Sequence, residues 1–317
     1  MSLSPALLAL THHLDGNDVP DAIHALCETL LRLYPQNIQA ILYYGSCLRS
    51  DSDLEGIVDL YVVVDRYSSI YPNTFFAFTN ALLPPNVFYI EVPYKNQKIR
   101  SKYAVISLKD FKRSTSMRWF HSYFWARFAQ PVKVLFVATP TIQKKIHHAL
   151  ARAIMTFVTR AIHRTPTTFN ALEMWHTGLS LTYQAELRTE RSGRIAQLID
   201  VSPDYYQQTG DIALSELSVA TIRTEANLPQ RYTTQHDSLK RALSQVSWFV
   251  RRLQGKLLSI FRLIKGLLTF DGGVEYILWK IERHSGVSIQ LTPWQQQHPL
   301  LASPNVFWKL YKKGAFR

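Results

Sequence analysis

Three residues can assemble phosphate chemistry early in the chain. Gly45 and Ser46 close the apolar run Ile41-Leu42-Tyr43-Tyr44, and Asp59 opens a second run, Asp59-Leu60-Tyr61-Val62-Val63-Val64-Asp65. Backbone N–H groups of a tight turn, with a hydroxyl beside them, make a concavity suited to an anion such as a triphosphate. A carboxylate on the neighbouring strand can carry Mg²⁺, a hard cation that prefers oxygen ligands and shares its shell with substrate phosphates. The order of strand, Gly-Ser turn, spacer and acidic strand meets both needs.

The acids must be positioned by their strand. Asp59 and Asp65 are six residues apart and share one face, but at a rise of roughly 3.3 Å per residue they stand about 20 Å from each other. A single ion reaches both only if the strand bends or ends before Asp65, so Asp59 is the better ligand. Tyr61 occupies the position at which an Asp-x-Asp pair would place its second acid. A Gly-Ser turn followed by a strand that presents an acid resembles the core signature of polymerase-β-type nucleotidyltransferases.

The surrounding elements follow from periodicity. Ile23, Leu26, Leu30 and Leu33 predict a helix from about Asp21 to Leu33. Buried strands are expected over 37–44, 57–64 and 87–92, with a weaker one over 104–108. Helices are expected over 141–163 and 168–183, with loops and short helices over 189–231. A mixed sheet with helices follows from strands separated by long connections.

A series of later segments extends the resemblance. Lys102-Tyr103-Ala104-Val105-Ile106, Ala126-Arg127-Phe128-Ala129-Gln130-Pro131-Val132 and Leu181-Thr182-Tyr183-Gln184-Ala185-Glu186-Leu187-Arg188 follow the turn in that order. Together with Tyr44-Gly45-Ser46 and the acidic strand, they resemble the peripheral, mitochondrial-type CDP-diacylglycerol synthases, the phosphatidate cytidylyltransferases of the translocator-maintenance family, over about residues 40–290. Cys47, Arg66, Ala104, Gln130 and Glu186 depart from the family pattern and suggest a divergent bacterial branch.

The resemblance implies an α+β fold in three parts: a nucleotidyltransferase-type mixed sheet with helices over 1–118, a mainly helical, winged-helix-like domain over 119–235, and a basic C-terminal region over 236–317. It implies CTP and phosphatidic acid as substrates and Mg²⁺ as cofactor. Asp59, Asp65 and Lys102 would be catalytic, with the metal on Asp59 and Asp65. Gly45, Ser46, Tyr103, Arg127, Glu186 and Arg188 would bind substrate. Taken alone, Lys102 reads more readily as an exposed lysine at a strand start, and the resemblance is what makes it a phosphate contact. Arg127 lies in an aromatic-rich stretch, where a buried guanidinium demands either a structural acid or a substrate phosphate. Glu91 is a candidate third metal oxygen or a solvent-facing strand acid.

Composition narrows the partners. The 317 residues carry a net charge of +13, and ten of those charges lie from Leu239 onward, where thirteen Lys and Arg face three acids. Such a balance points to a polyanion, either nucleic acid or an anionic membrane. Two cysteines, Cys27 and Cys47, exclude a disulfide framework and fit a reducing cytoplasm. Apolar runs too short to span a bilayer place the chain as a cytoplasmic protein, peripheral at the inner face of the cell membrane.

Ser238 to Phe270 is the clearest periodic segment. Leu239, Leu243, Val246, Val250, Leu253, Leu257 and Ile260 recur at spacings of four and three, and Arg251, Arg252, Lys256 and Arg262 fall on the opposite arc without an acid. A basic amphipathic helix of this kind fits an anionic membrane surface, with the four cations as its contacts. The alternatives are a core-facing helix with a cationic solvent face and a heptad-like seam for another helix. Two further functions remain open: a nucleotidyltransferase acting on RNA or protein, and a non-catalytic membrane-binding protein on a decayed transferase fold. The aromatics lie in apolar, core-like runs rather than in exposed stacking positions, so no specific nucleic acid is expected.

Overall fold

A computed structural model describes residues 3–12, 19–49, 56–95, 97–186, 193–217, 220–223, 230–234, 237–269 and a few positions between 291 and 312. Its centre is a five-stranded mixed sheet of β1 (Ile38–Tyr44), β2 (Ile57–Val64), β3 (Asn86–Tyr94), β4 (Gln97–Ser107) and β5 (Lys133–Val137), in the order β3-β4-β2-β1-β5. β2 runs parallel to β4, and the other neighbours are antiparallel. The parallel step needs a long crossover, which the helix Thr74–Leu82 and the antiparallel β3 supply.

Alternation along β2 assigns its two faces. Val58, Leu60, Val62 and Val64 pack with Ile23, Leu26 and Leu30 of the helix Asp21–Leu33, together with Tyr103 and Val105 of β4. Tyr61 and Val63 point the other way, into a larger core with Ala104, Ile106, Phe111, Phe124, Phe128 and the helix Pro140–Ala161. Asp59 shares that second face at the entry to the strand, where the core thins and side chains reach solvent.

The larger core continues through Trp125, Phe157 and Trp175 to Tyr232. These last residues belong to a mainly helical part made of the helices Ala171–Gln184, Arg194–Asp200 and Pro203–Ser215. A small antiparallel sheet of β6 (Thr168–Asn170), β7 (Ala220–Arg223) and β8 (Arg231–Thr234) accompanies them, in the order β6-β8-β7. The helix expected from residue 168 begins instead at Ala171. Asn170 accepts from the Glu173 amide while the Glu173 carboxylate accepts from the Asn170 amide, a reciprocal cap that fixes the helix start. β5 lies past residue 118 yet pairs with β1, so the central sheet extends beyond the expected boundary.

The helix Ser238–Thr269 is 32 residues long and lies across both parts. Trp248 is buried, and its indole N–H donates to the Arg160 carbonyl at 3.1 Å. Gly255 passes so close to the Ala185 carbonyl oxygen that a Cβ would lie 2.1 Å from it. Among the described residues, no helix is long and apolar enough to cross a membrane.

Candidate active site

The turn after β1 is built around Gly45. Its φ of +94° lies in the left-handed region, and a Cβ there would stand 2.6 Å from Oδ2 of Asp59. Only glycine meets both conditions, because it tolerates the dihedral and leaves the space that the carboxylate occupies. Ser46 follows, exposed, as the first residue of the short helix Ser46–Arg49. The Cys47 thiol donates to the Ile57 carbonyl at 3.2 Å and ties the turn to the start of β2.

Sheet register brings the proposed ligands together. Asp59 stands opposite Tyr44 on β1 and opposite Lys102 on β4. Lys102 Nζ lies 3.3 Å from Asp59 Oδ1, with the two side chains 30% and 23% exposed. Both groups are thus partly exposed to solvent. Farther along the same face, Glu91 of β3 accepts from the Tyr89 hydroxyl at 2.8 Å and pairs with Lys98 at 3.1 Å and Arg100 at 3.4 Å. The Tyr89 hydrogen bond, supported by Lys98 and Arg100, holds the Glu91 pKa below the usual carboxylate value. Glu91 is thus committed to its own ion pairs.

Inward of Asp59 lies a phenol and guanidinium cluster. Arg127 donates to the Tyr61 hydroxyl at 3.2 Å and lies 3.8 Å from Glu186. Its guanidinium carbon is 4.2 Å from the centroid of Tyr123 and 5.6 Å from that of Tyr44. Burial alone would lower its pKa, but Tyr123, Tyr61, Tyr44 and Glu186 hold it well above the usual value. The Tyr44 hydroxyl is pushed up by burial first and by Asp59 next, so this cluster and the turn share one electrostatic environment. Tyr61 and Tyr123 escape a reading based on charged residues, although Tyr61 follows Asp59 by two positions and so shares its face.

Several expected residues lie elsewhere. Asp65 sits past the far end of β2, where it is exposed and paired with Arg66 at 3.2 Å, so the regular strand keeps it away from Asp59. Tyr103 faces the opposite side of the sheet from Lys102, where it is buried, hydrogen-bonded to Tyr34 at 3.0 Å and stacked on Phe88. The period of two that aims Lys102 at Asp59 necessarily aims Tyr103 away. Arg188 lies outside the described residues.

The expected outward-facing basic arc is also corrected. Arg251 is 1% exposed and donates to the Phe120 carbonyl at 2.7 Å, and Arg262 donates to the Pro84 carbonyl at 3.1 Å. Arg252 donates to Gln184 at 2.7 Å, whereas Lys256 is exposed. Solvent instead meets the apolar arc, from Leu239 at 66% exposure through Leu243, Val246, Val250 and Leu253 to Leu257 at 53%. Backbone carbonyl oxygens hold the Arg251 and Arg262 guanidiniums, which turns that part of the basic arc inward.

Among the described residues, no group of three or more His, Cys, Asp and Glu side chains could cage a metal. One carboxylate beside a phosphate-sized turn still fits Mg²⁺, which commonly takes one or two carboxylates and fills its octahedron with water and substrate phosphates. The donor set present is Asp59, with Lys102 as a competing cation. A soft or imidazole-seeking metal has no comparable ligands here.

A solved structure of a nucleotidyltransferase-like protein from Exiguobacterium sibiricum 255-15 aligns with 78% of this chain and 79% of that one, at 10% identity and a TM-score of 0.26. No curated protein matches the chain by sequence. Residues 65–261 match the family profile described as phosphatidate cytidylyltransferase, mitochondrial, a span that begins just after β2 and holds Lys102, Arg127 and Glu186. That match covers more than half of the sequence, and the chain accordingly belongs to the phosphatidate cytidylyltransferase family of nucleotidyltransferases.

Proposed function

We propose that the protein makes CDP-diacylglycerol and pyrophosphate from CTP and phosphatidic acid at the Gly45–Asp59–Lys102 site. The carrying observation is the contact of the Asp59 carboxylate with the positive-φ turn, together with its 3.3 Å pairing to Lys102. In this reading the triphosphate lies on the Gly45–Ser46 turn. Lys102 exchanges its contact with Asp59 for phosphate oxygens as a point charge. Asp59 would hold the Mg²⁺, which when bound supplies charge neutralisation on the triphosphate. A phosphate oxygen of phosphatidic acid attacks the α-phosphorus in line, its new P–O bond forming as the bond to pyrophosphate breaks. The nucleophile is already an anion and needs no general base, so the chain contributes positioning and charge.

Attachment to a lipid surface is part of the proposal. The contact is the exposed apolar arc of the helix Ser238–Thr269, flanked by the exposed Lys240, Arg241 and Lys256. A contiguous apolar stripe of this length marks an interaction surface, and cations at its margin favour anionic lipid. The inner face of the cell membrane is the proposed location.

The test is transfer from radiolabelled CTP to phosphatidic acid in vesicles, run beside an RNA substrate and with Mg²⁺ withheld in parallel. Labelled CDP-diacylglycerol that depends on Mg²⁺ supports the proposal. Label entering RNA, or no product at all, rejects it in favour of an RNA-modifying transferase or a non-catalytic membrane protein.

A further inference from the structure

Cations from two elements converge on the inner side of the Asp59 face, with Glu186 as the carboxylate near them among the described residues. Arg127 approaches from the aromatic segment after β4, and Arg262 and Lys265 approach from the long C-terminal helix. Lys265 Nζ donates to the carbonyls of Leu83 and Pro85, while Arg262 Nε donates to that of Pro84. Two consecutive turns of one helix thus hold three consecutive carbonyls. This clamp fixes the Arg262 guanidinium with its carbon 3.9 Å from the centroid of Tyr123, the ring that Arg127 also approaches at 4.2 Å.

The clamp uses only part of the Arg262 fork. Its Nη2 is buried and has no hydrogen-bond partner among the described residues. Among the described residues, the carboxylate that meets this cluster is Glu186, at 3.8 Å from Arg127. Burial pushes the Arg262 pKa below the usual guanidinium range despite Tyr123, Tyr61 and Glu186, and it pushes Lys265 down to about 7. A buried cation of this kind with an idle donor calls for an anion, and a planar guanidinium edge matches the oxygens of a phosphate.

We propose that Arg262, beside Arg127 and Tyr123, binds the phosphate monoester of the lipid substrate, which makes the C-terminal helix part of the substrate pocket as well as the membrane contact. This rests on the phosphatidate reading above. The Tyr44 and Tyr61 rings join the cluster to Asp59, since Tyr44 is the ladder partner of Asp59 and Arg127 bonds Tyr61. A monoester held at Arg262 would therefore approach a nucleotide on the Gly45 turn from the side of the long helix. The apolar arc of that helix faces outward, so the acyl chains of a bound lipid need not enter the protein.

The same phosphate chemistry could come from the nucleotide, and the experiment separates the two sources. Binding of dihexanoyl phosphatidate, a water-soluble short-chain lipid, and of CTP is measured by calorimetry on the full chain, without turnover, for wild type, Arg262→Gln and Arg262→Lys. The expected result is a roughly tenfold or greater loss of short-chain phosphatidate affinity in Arg262→Gln, with CTP affinity within about twofold of wild type. Arg262→Lys retains a donor for the Pro84 carbonyl but loses the fork, and it should lose phosphatidate affinity while keeping the wild-type melting temperature. This second variant decides the matter if Arg262→Gln fails to fold. Unchanged phosphatidate affinity in a folded variant, or a loss confined to CTP, overturns the assignment. Wild-type binding of phosphatidate without any cytidylyl transfer would sink the proposed reaction and leave this inference standing.

Discussion

Replacing Gly45 by alanine tests the geometry on which the active-site reading depends. At φ +94° an alanine sits in a region that costs on the order of 1–3 kcal/mol for a residue with a Cβ. The new Cβ would also lie 2.6 Å from Asp59 Oδ2, whereas ordinary contacts begin near 3.4 Å. The carboxylate must therefore retreat by roughly 0.8 Å, and a displacement of about 1 Å in a catalytic group can lower the rate about a hundredfold. The retreat also disturbs the 3.3 Å contact with Lys102, an exposed pair worth under about 1 kcal/mol. Gly45→Ala should thus lower unfolding stability by about 1–3 kcal/mol in urea titration and reduce kcat by about two orders of magnitude. Asp59→Ala in the same background separates the effects on stability, because it removes the 2.6 Å approach to the carboxylate but leaves the strained dihedral and a 3.0 Å approach to the remaining Cβ. Wild-type kcat in a folded Gly45→Ala protein would show that the turn and the carboxylate do not work as one site.

Asp59→Asn keeps the shape and removes the charge, so it should cost more than about a hundredfold in transfer with little change in melting temperature; near-normal turnover would remove the metal assignment. Leu243, Leu253 and Leu257 changed together to Ser should weaken vesicle co-sedimentation on the order of a hundredfold, at about 1 kcal/mol for each half-buried leucine. Activity on short-chain phosphatidate should survive in that triple variant, and unchanged sedimentation would place the membrane contact elsewhere. Lys265 has a folded pKa near 7, lowered by burial and then by Arg262. Between about pH 7 and 10 the unfolded chain still holds a proton that the folded chain has released, so this group makes stability rise with pH across that window. Lys265→Met should remove the rise, and identical pH slopes of the unfolding midpoint in the two proteins would refute the argument.

Strongly periodic segments were legible because burial on one face leaves its period in the residues. The helix Asp21–Leu33 and the strand Ile57–Val64 coincide with the spans that spacing predicts. β4 begins at Gln97 rather than Ala104, since Lys98, Arg100 and Lys102 alternate with Ile99, Ser101 and Tyr103 in a strand with one polar face. β5 has only five residues, and its place beside β1 depends on distant pairing rather than on local pattern. At the site, Gly45, Asp59 and Lys102 could be read from motif order, and sheet register brings them together. Asp65 and Tyr103 went astray for one reason, which is that motif resemblance ignores the direction that strand alternation imposes.

The C-terminal helix shows where periodicity ends as a guide. An amphipathic pattern separates two arcs, but which arc turns inward depends on the surface offered by the rest of the chain. Here that surface presents backbone oxygens, those of Leu83, Pro84, Pro85 and Phe120, at positions that meet Lys265, Arg262 and Arg251. Each of these side chains makes hydrogen bonds there that offset part of the burial that lowers its pKa, while the leucines on the other arc gain nothing from the protein. Leaving that arc in water is unfavourable at about 25 cal/mol for each Å² of apolar surface, so the orientation is stabilised further wherever the arc can be covered. The arc forms a stripe of roughly 30 Å at 1.5 Å per residue, and it is the surface proposed above to meet lipid. The same rotation that leaves the leucines facing outward carries Arg262 beneath them, against the Tyr123 ring that Arg127 also meets. On the proposed reading, membrane attachment and phosphate binding are opposite faces of a single helix, with Arg251, Arg262 and Lys265 turned inward and Lys240, Arg241 and Lys256 left exposed at the margin of the apolar arc.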